Sequence, residues 1–328
     1  MSLFKSTRRT ILGLAVAAAA TPGWLALGTS EAAAEFPNKP IKVYVGFKPG
    51  GRTDTIARKI SQYINDNELL AQPMVIVNKP GAASANAARE VLSADQDGHT
   101  IMHWSHGMLI SNALGVNEIH PEDFTSLGFS GGGSPVWAVR SDSEIKSLND
   151  LVTKLKAEPE SLVEAVGIGT VPHLIGAWLA DSAGFKTRLI GAPGGADRLA
   201  RLIGGNADIA LFSAQEYKKF QPNGVNAVVF FGAERLANLP DVPTAKELGY
   251  DVVWANPAWW LGPKDMDPEA AEKLSAAIKT AIESDEMKAW FSENSLDPYW
   301  TAGPEATEQS LAVLTTLKKV AEDNNIKK

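Results

Sequence analysis

The chain of 328 residues contains no cysteine. That absence excludes a disulfide scaffold, a thiolate zinc site, a cysteine nucleophile, an iron–sulfur cluster and a lipid-modified N-terminal cysteine. A basic excess is also missing. Thirty-one Lys and Arg stand against 38 Asp and Glu, a formal charge of −7, whereas a nucleic-acid binder would show a basic face or stripe. No stretch approaches transmembrane length. What is present is a hydrophobic fraction of 45%, which is ordinary for a globular chain and excludes wholesale disorder. The length accommodates one large domain or two ordinary ones.

Residues 1–34 read as an export signal. Lys5, Arg8 and Arg9 form a basic start, Ile11 to Ala20 a short apolar run, and Ala32-Ala33-Ala34 a small-residue cleavage site, so that the mature chain begins at Glu35. Thr7-Arg8-Arg9-Thr10-Ile11-Leu12 is similar to a twin-arginine signal, with an ordinary secretory signal as the alternative. Either places the protein outside the cytoplasmic membrane. These 34 residues hold three basic groups and one acidic group, so the chain after them carries −9 against −7 for the whole.

Beyond the signal, strands and helices alternate. Ile41–Val45, Met74–Val77, His99–Trp104, Val136–Val139, Leu162–Val166, Thr187–Ile190, Asp208–Phe212 and Ala227–Phe231 read as strands. Helices are expected between them, with caps at Thr53 or Asp54, Ser84 and Ser147. The end is mostly helical: Pro268–Glu283, Asp285–Glu293 and Pro304 to about Glu322, with Lys318–Lys328 polar and expected to fray. The alternation predicts mainly parallel α/β sheets in two lobes. Ser130-Gly131-Gly132-Gly133-Ser134-Pro135 is the expected crossover between lobes, or else a long surface loop.

Four small-residue turns lead into helices: Phe47 to Asp54, Pro80 to Ser84, Gly167 to Thr170, and Gly191 to Gly195. Helix N-termini carry free N–H groups and a positive dipole end, and small residues let a ligand approach the backbone. Two lobes presenting such turns to each other would form an anion-binding cleft. None of the turns is a phosphate loop or a dinucleotide fingerprint.

The spaced set of Phe36-Pro37-Asn38-Lys39-Pro40-Ile41, Gly46 to Asp54, Val77 to Ala82, Asp97-Gly98-His99-Thr100, Gly167 to Leu174, Leu202 to Asp208 and Leu239 to Thr244 resembles the Bug-type receptors of tripartite tricarboxylate transporters. The likeness runs through nearly the whole mature chain. It implies a two-lobe periplasmic binding protein fold of type II, a Venus flytrap, in the α/β class. Lobe 1 would comprise 35–130 plus 251–328, and lobe 2 131–250. It also implies a small organic acid, its carboxylate held in the interlobe cleft; a dicarboxylate is the extension that Arg52 suggests and an aromatic acid the one that the tryptophans suggest. The partners implied are that acid and the permease subunits, for a monomeric periplasmic protein without cofactor or metal.

Carried over by position, the resemblance maps the site onto Phe47, Gly50, Gly51, Thr53 and Asp54 of the first turn. It maps Gly169, Thr170 and His173 onto the second lobe, and Ala192 and Phe212 complete the expected set. Lys48, Arg52, Gly191-Ala192-Pro193 and Pro257-Ala258-Trp259-Trp260 depart from the family pattern around the pocket. Arg52 is the natural partner for a carboxylate, which its guanidinium can bind bidentately, with a solvated side chain as the alternative. Ser105 and His106 are expected to line the cleft as donors. His103 and His106 fall at a strand end, where a spacing of three does not put both on one face, so no metal is expected. Most tryptophans are assigned to the core, with Trp104, Trp137 and Trp259 or Trp260 as candidate flat walls for a ligand. A sensory binding protein and a hydrolase acting on carboxylate derivatives remain alternatives. No nucleophile-elbow or zincin motif favours the hydrolase.

Overall fold

A computed structural model describes residues 35–47, 49–168, 170–192 and 194–326. The export-signal reading of residues 1–34, the departure at Lys48 and the expected ligand contact at Gly169 lie outside them. In chain order the elements begin β1 (Ile41–Val45), α1 (Arg52–Asp66), β2 (Met74–Asn78), α2 (Ala85–Leu92), β3 (Thr100–Trp104), α3 (Gly107–Ala113), β4 (Phe124–Gly133) and β5 (Pro135–Arg140). There follow α4 (Leu148–Ala157), β6 (Val163–Val166), α5 (Val171–Ala183), β7 (Arg188–Gly191), α6 (Gly195–Ile203), β8 (Ile209–Ser213), α7 (Ala214–Phe220) and β9 (Val225–Phe230). The chain closes with β10 (Asn256–Pro263), α8 (Pro268–Glu283), α9 (Asp285–Glu293), β11 (Asp297–Ala302) and α10 (Gly303–Asp323).

Local sequence explains most of these elements. In β1 the inward residues Ile41, Val43 and Val45 alternate with less buried ones, the period of a strand. In α1, Ile56, Ile60 and Ile64 recur at a spacing of four and are buried, the stripe of an amphipathic helix. Ser147 caps α4 by accepting from the Asp150 amide, and Gly184 ends α5 in the left-handed region, as helix-end chemistry requires. The expected caps at Thr53, Asp54 and Ser84 differ. α1 starts two to three residues earlier with Gly51 as its cap. Ser84 occupies the cap position of α2 but makes no capping bond, because its hydroxyl donates to the Gly46 carbonyl instead.

Two sheets result, in the orders β11-β4-β10-β3-β1-β2 and β7-β6-β8-β5-β9. Both are mixed, not mainly parallel. β1 runs parallel to β2 and β3, but β10 is antiparallel to β3 and β4, and β11 to β4. In the second sheet β6 is parallel to β7 and β8, while β5 is antiparallel to β8 and β9. The chain returns to the first sheet at β10 after finishing the second.

The glycine run 131–133 is strand, not loop. It completes β4, and only Ser134 separates it from β5 in the other sheet. Gly131 has a positive φ, and a Cβ there would lie 2.4 Å from the Phe291 ring, so glycine lets the aromatic pack directly on the strand backbone.

Trp104, Trp137, Trp254 and Trp259, drawn from both sheets and their connections, belong to one continuous core with Leu317 and Val320 of α10. Separate clusters fill the α1/α8/α9 side of the first sheet and the α6/α7 side of the second. The expected fraying from Lys318 does not occur across the described residues. Val320, Ala321 and Ile326 are buried in that core, while the polar residues between them stay outside. Glu35–Lys328 makes one compact unit.

Candidate functional site

A cavity of about 200 Å³ lies beside the Ser134 crossover. Arg52, Asn256, Ser295 and Leu296 line it from elements of the first sheet's side. Val171 and Pro172 at the start of α5, Arg198 of α6, Leu211 of β8 and Glu216 of α7 line it from the second, and Trp254 adds an aromatic surface.

Arg52 is the first residue of α1, next to the Gly51 cap. Its Nη2 donates to the Asn256 carbonyl oxygen. Its Nε is shielded from solvent and without a partner, and among the described residues no carboxylate pairs with it. Burial lowers its pKa to about 10, so it remains a cation at neutral pH. The same charge, after burial itself, keeps both neighbouring imidazoles neutral. His103 and His106 are pushed down to about 3. The Tyr299 phenol is pushed up by burial, against the pull of Arg52.

The opposite wall is differently built. Arg198 is buried, its Nε donates 2.8 Å to the Leu211 carbonyl, and its Nη2 lies 3.7 Å from Glu216 Oε2. Burial lowers its pKa, and Glu216 and then Asp197 work to restore it. Glu216 completes a capping box with Ser213 at the start of α7. It also reaches the first turn of α6, where a Cβ on Gly195 would lie 2.1 Å from its Oε1. The fourth glycine-rich turn is thus already filled by a carboxylate of the protein itself.

The first turn is filled in the same way. Asp54 accepts from the Gly50 amide at 2.9 Å, Arg58 Nε at 2.9 Å and Asn78 Nδ2 at 2.7 Å. Burial opposes the shift, but these donors outweigh it and hold the Asp54 carboxyl below its usual value. By contrast α5 carries no acidic residue in its first turn, and its first residues face the cavity.

The family model for the tripartite tricarboxylate transporter family receptor matches residues 56–320. The chain belongs to that receptor family. The UPF0065 protein of the TAR-I ttuE-ttuC' intergenic region of Agrobacterium vitis is 31% identical over 265 residues, 77% of this receptor and 74% of that protein. A TctC solute-binding protein from Polaromonas, solved without ligand, shares the fold with a TM-score of 0.80 at 21% identity, covering 88% of the receptor and 99% of that chain. MatC from Rhodopseudomonas palustris, solved with bound malate, superposes with a TM-score of 0.67 at 24% identity, covering 87% and 99%. Members of the family are periplasmic substrate-binding receptors of transporters, not enzymes.

Of the residues expected from the receptor's sequence, Arg52 lines this cavity. Gly50 joins Arg52 in a small adjoining hollow, Gly51 and Thr53 flank Arg52 at the helix start, and Thr170 directly precedes Val171. Asp54 braces its own loop. Phe47 is partly exposed, and its carbonyl accepts from Asn78. The Ser105 hydroxyl accepts from the Gly107 amide at the start of α3. His106 lies behind the cavity, 3.3 Å from Ser310 Oγ and 5.7 Å from the Trp254 ring. Phe212 faces the core, because strand alternation turns its neighbours Leu211 and Ser213 to the cavity. Its ring carries the Arg198 guanidinium at 5.8 Å. Ala192 and His173 border two other hollows. Trp104, Trp137, Trp259 and Trp260 are core, leaving Trp254 as the cavity's tryptophan.

Arg198 and Glu216 were not legible as site residues. Arg198 stands one turn before the inward Leu202 on α6, and that spacing was the available signal. Among the described residues no group of three His, Asp or Glu could hold a metal, and no helix is long and apolar enough to cross a membrane.

Proposed function

We propose that this receptor binds a small organic acid in the cavity beside Ser134 and delivers it to the permease subunits of a tripartite tricarboxylate-type transporter. The ligand's carboxylate sits against the Arg52 guanidinium and the first turn of α5. The observation that carries this reading is the unpartnered Nε of Arg52 in a cavity wall. A shielded guanidinium without an anion is costly, and a ligand carboxylate on the side of Arg52 that lines the cavity supplies the counter-charge it lacks. The malate in a structural neighbour is consistent with an acid. On this reading the protein is exported, cleaved after Ala34 and monomeric. The lobes are residues 35–130 with 251–328, and 131–250, closing over the ligand so that water leaves and the charged contacts strengthen.

Titration calorimetry with a panel of carboxylates, on the wild type and on Arg52→Ala, tests the assignment. The substitution is expected to weaken binding by roughly 30-fold or more, the scale of removing one partner of a shielded charge pair. Unchanged affinity for every acid would remove Arg52 from the site.

A further inference from the structure

The charges around the cavity do not balance in the way a dicarboxylate would need. Resting on the organic-acid reading above, we infer that the ligand is a monoanion: a monocarboxylic acid whose far end carries a neutral hydrogen-bond donor, an amide or hydroxyl, directed at Glu216.

Two guanidiniums and one carboxylate line the cavity. Arg198 is already engaged. It donates to the Leu211 carbonyl, faces Glu216 at 3.7 Å, has Asp197 as a second acidic neighbour and lies over the Phe212 ring. Arg52 has no such carboxylate. One positive charge is therefore left for the ligand, on the Arg52 side only. A second ligand carboxylate at Arg198 would have to displace Glu216 or share the guanidinium with it. Displacement would break the Glu216 bonds from the Ser213 amide and hydroxyl, at 3.0 and 3.3 Å. Left in place, Glu216 meets that second carboxylate as a like charge at close range, which disfavours it. A carboxamide has nearly the same shape and brings N–H donors to the Glu216 oxygens instead.

Matched pairs separate charge from size: succinate and succinamate, glutarate and glutaramate, adipate and its monoamide. Calorimetry near pH 7.5 on the whole mature protein is expected to show the best-fitting monoamide binding at least tenfold tighter than its diacid. Glu216→Gln keeps an oxygen for the Ser213 cap while removing the charge, and should shrink that ratio severalfold by improving the diacid. Diacids binding as well as or better than their monoamides, with Glu216→Gln leaving the ratio unmoved, would overturn the inference while leaving the organic-acid reading intact. No binding by either member of any pair would overturn the inference, and no binding across the wider carboxylate panel would overturn the organic-acid reading as well.

Discussion

Arg52 can donate five N–H bonds, and the described protein meets it with the Asn256 carbonyl. A residue held this way serves binding at the expense of the empty fold. Arg52→Met should therefore abolish measurable acid binding yet leave the melting temperature of the ligand-free protein unchanged or raised, with a gain of up to about 2 kcal/mol, as when unpaired shielded charges are replaced by apolar groups. A clear loss of stability would mean that Arg52 is a structural brace. Glu164 makes the opposite kind of prediction. It is buried in β6, and burial raises its pKa to about 8, with the Thr187 hydroxyl 3.1 Å away pulling slightly the other way. The Trp137 indole is near enough to pull too, without forming a well-aligned bond. Because the folded value is raised, the stability tied to Glu164 is fully present below its unfolded value and is lost as pH climbs toward about 8. Glu164→Gln should remove this loss, so that its melting temperature relative to wild type increases steadily from pH 5 to pH 8, measured in a buffer series. A slope identical to wild type would contradict the assignment. His103 and His106, held neutral with values near 3, act in the opposite sense, because the unfolded chain still protonates them below about 6.5 and stability therefore rises as pH climbs through that value, equally in wild type and variant.

At the scale of elements, the glycine-rich turns before α1 and α6 hold an acidic side chain at their helix starts, whereas α2 and α5 carry none in their first turns. Gly195 belongs to the first kind. Gly195→Ala places a Cβ 2.1 Å from Glu216 Oε1, so that carboxylate should swing away from Ser213 at a cost of about 0.5–2 kcal/mol, the usual loss of a helix cap. Chemical denaturation would read this directly, and an unchanged midpoint would show that the turn is looser than described. The boundaries of α8 and α9 were legible to the residue, because Asp267 and Ser284 give their helices side-chain caps and the apolar spacing is regular. β4, β10 and β11 were not. β4 ends in glycines packed beneath Phe291 and Trp300, and β10 is buried on almost every residue, so neither alternates in the way that marks a half-exposed strand. Of the cavity's lining, Arg52 was the residue legible in the sequence, because it breaks a small-residue turn. The Arg198–Glu216 wall depends on two residues 18 apart in sequence, on different helices, meeting in space, and no local pattern records that.

For the whole molecule, a chain with nine excess negative charges after residue 34 is proposed to capture an anion. Net charge acts on solubility and approach, while the cavity's own charges decide what is held. Two mixed sheets joined through Ser134 bring those charges together from distant parts of the chain. The measurement that tests this most directly is native mass spectrometry of freshly purified mature protein, loaded with a mixed pool of small metabolites, followed by denaturation and identification of what is released. The account predicts a released small molecule bearing at least one carboxylate, retained by the wild type and missing from Arg52→Ala. Release of a neutral sugar or a cation, or retention of the same acid by Arg52→Ala, would contradict it.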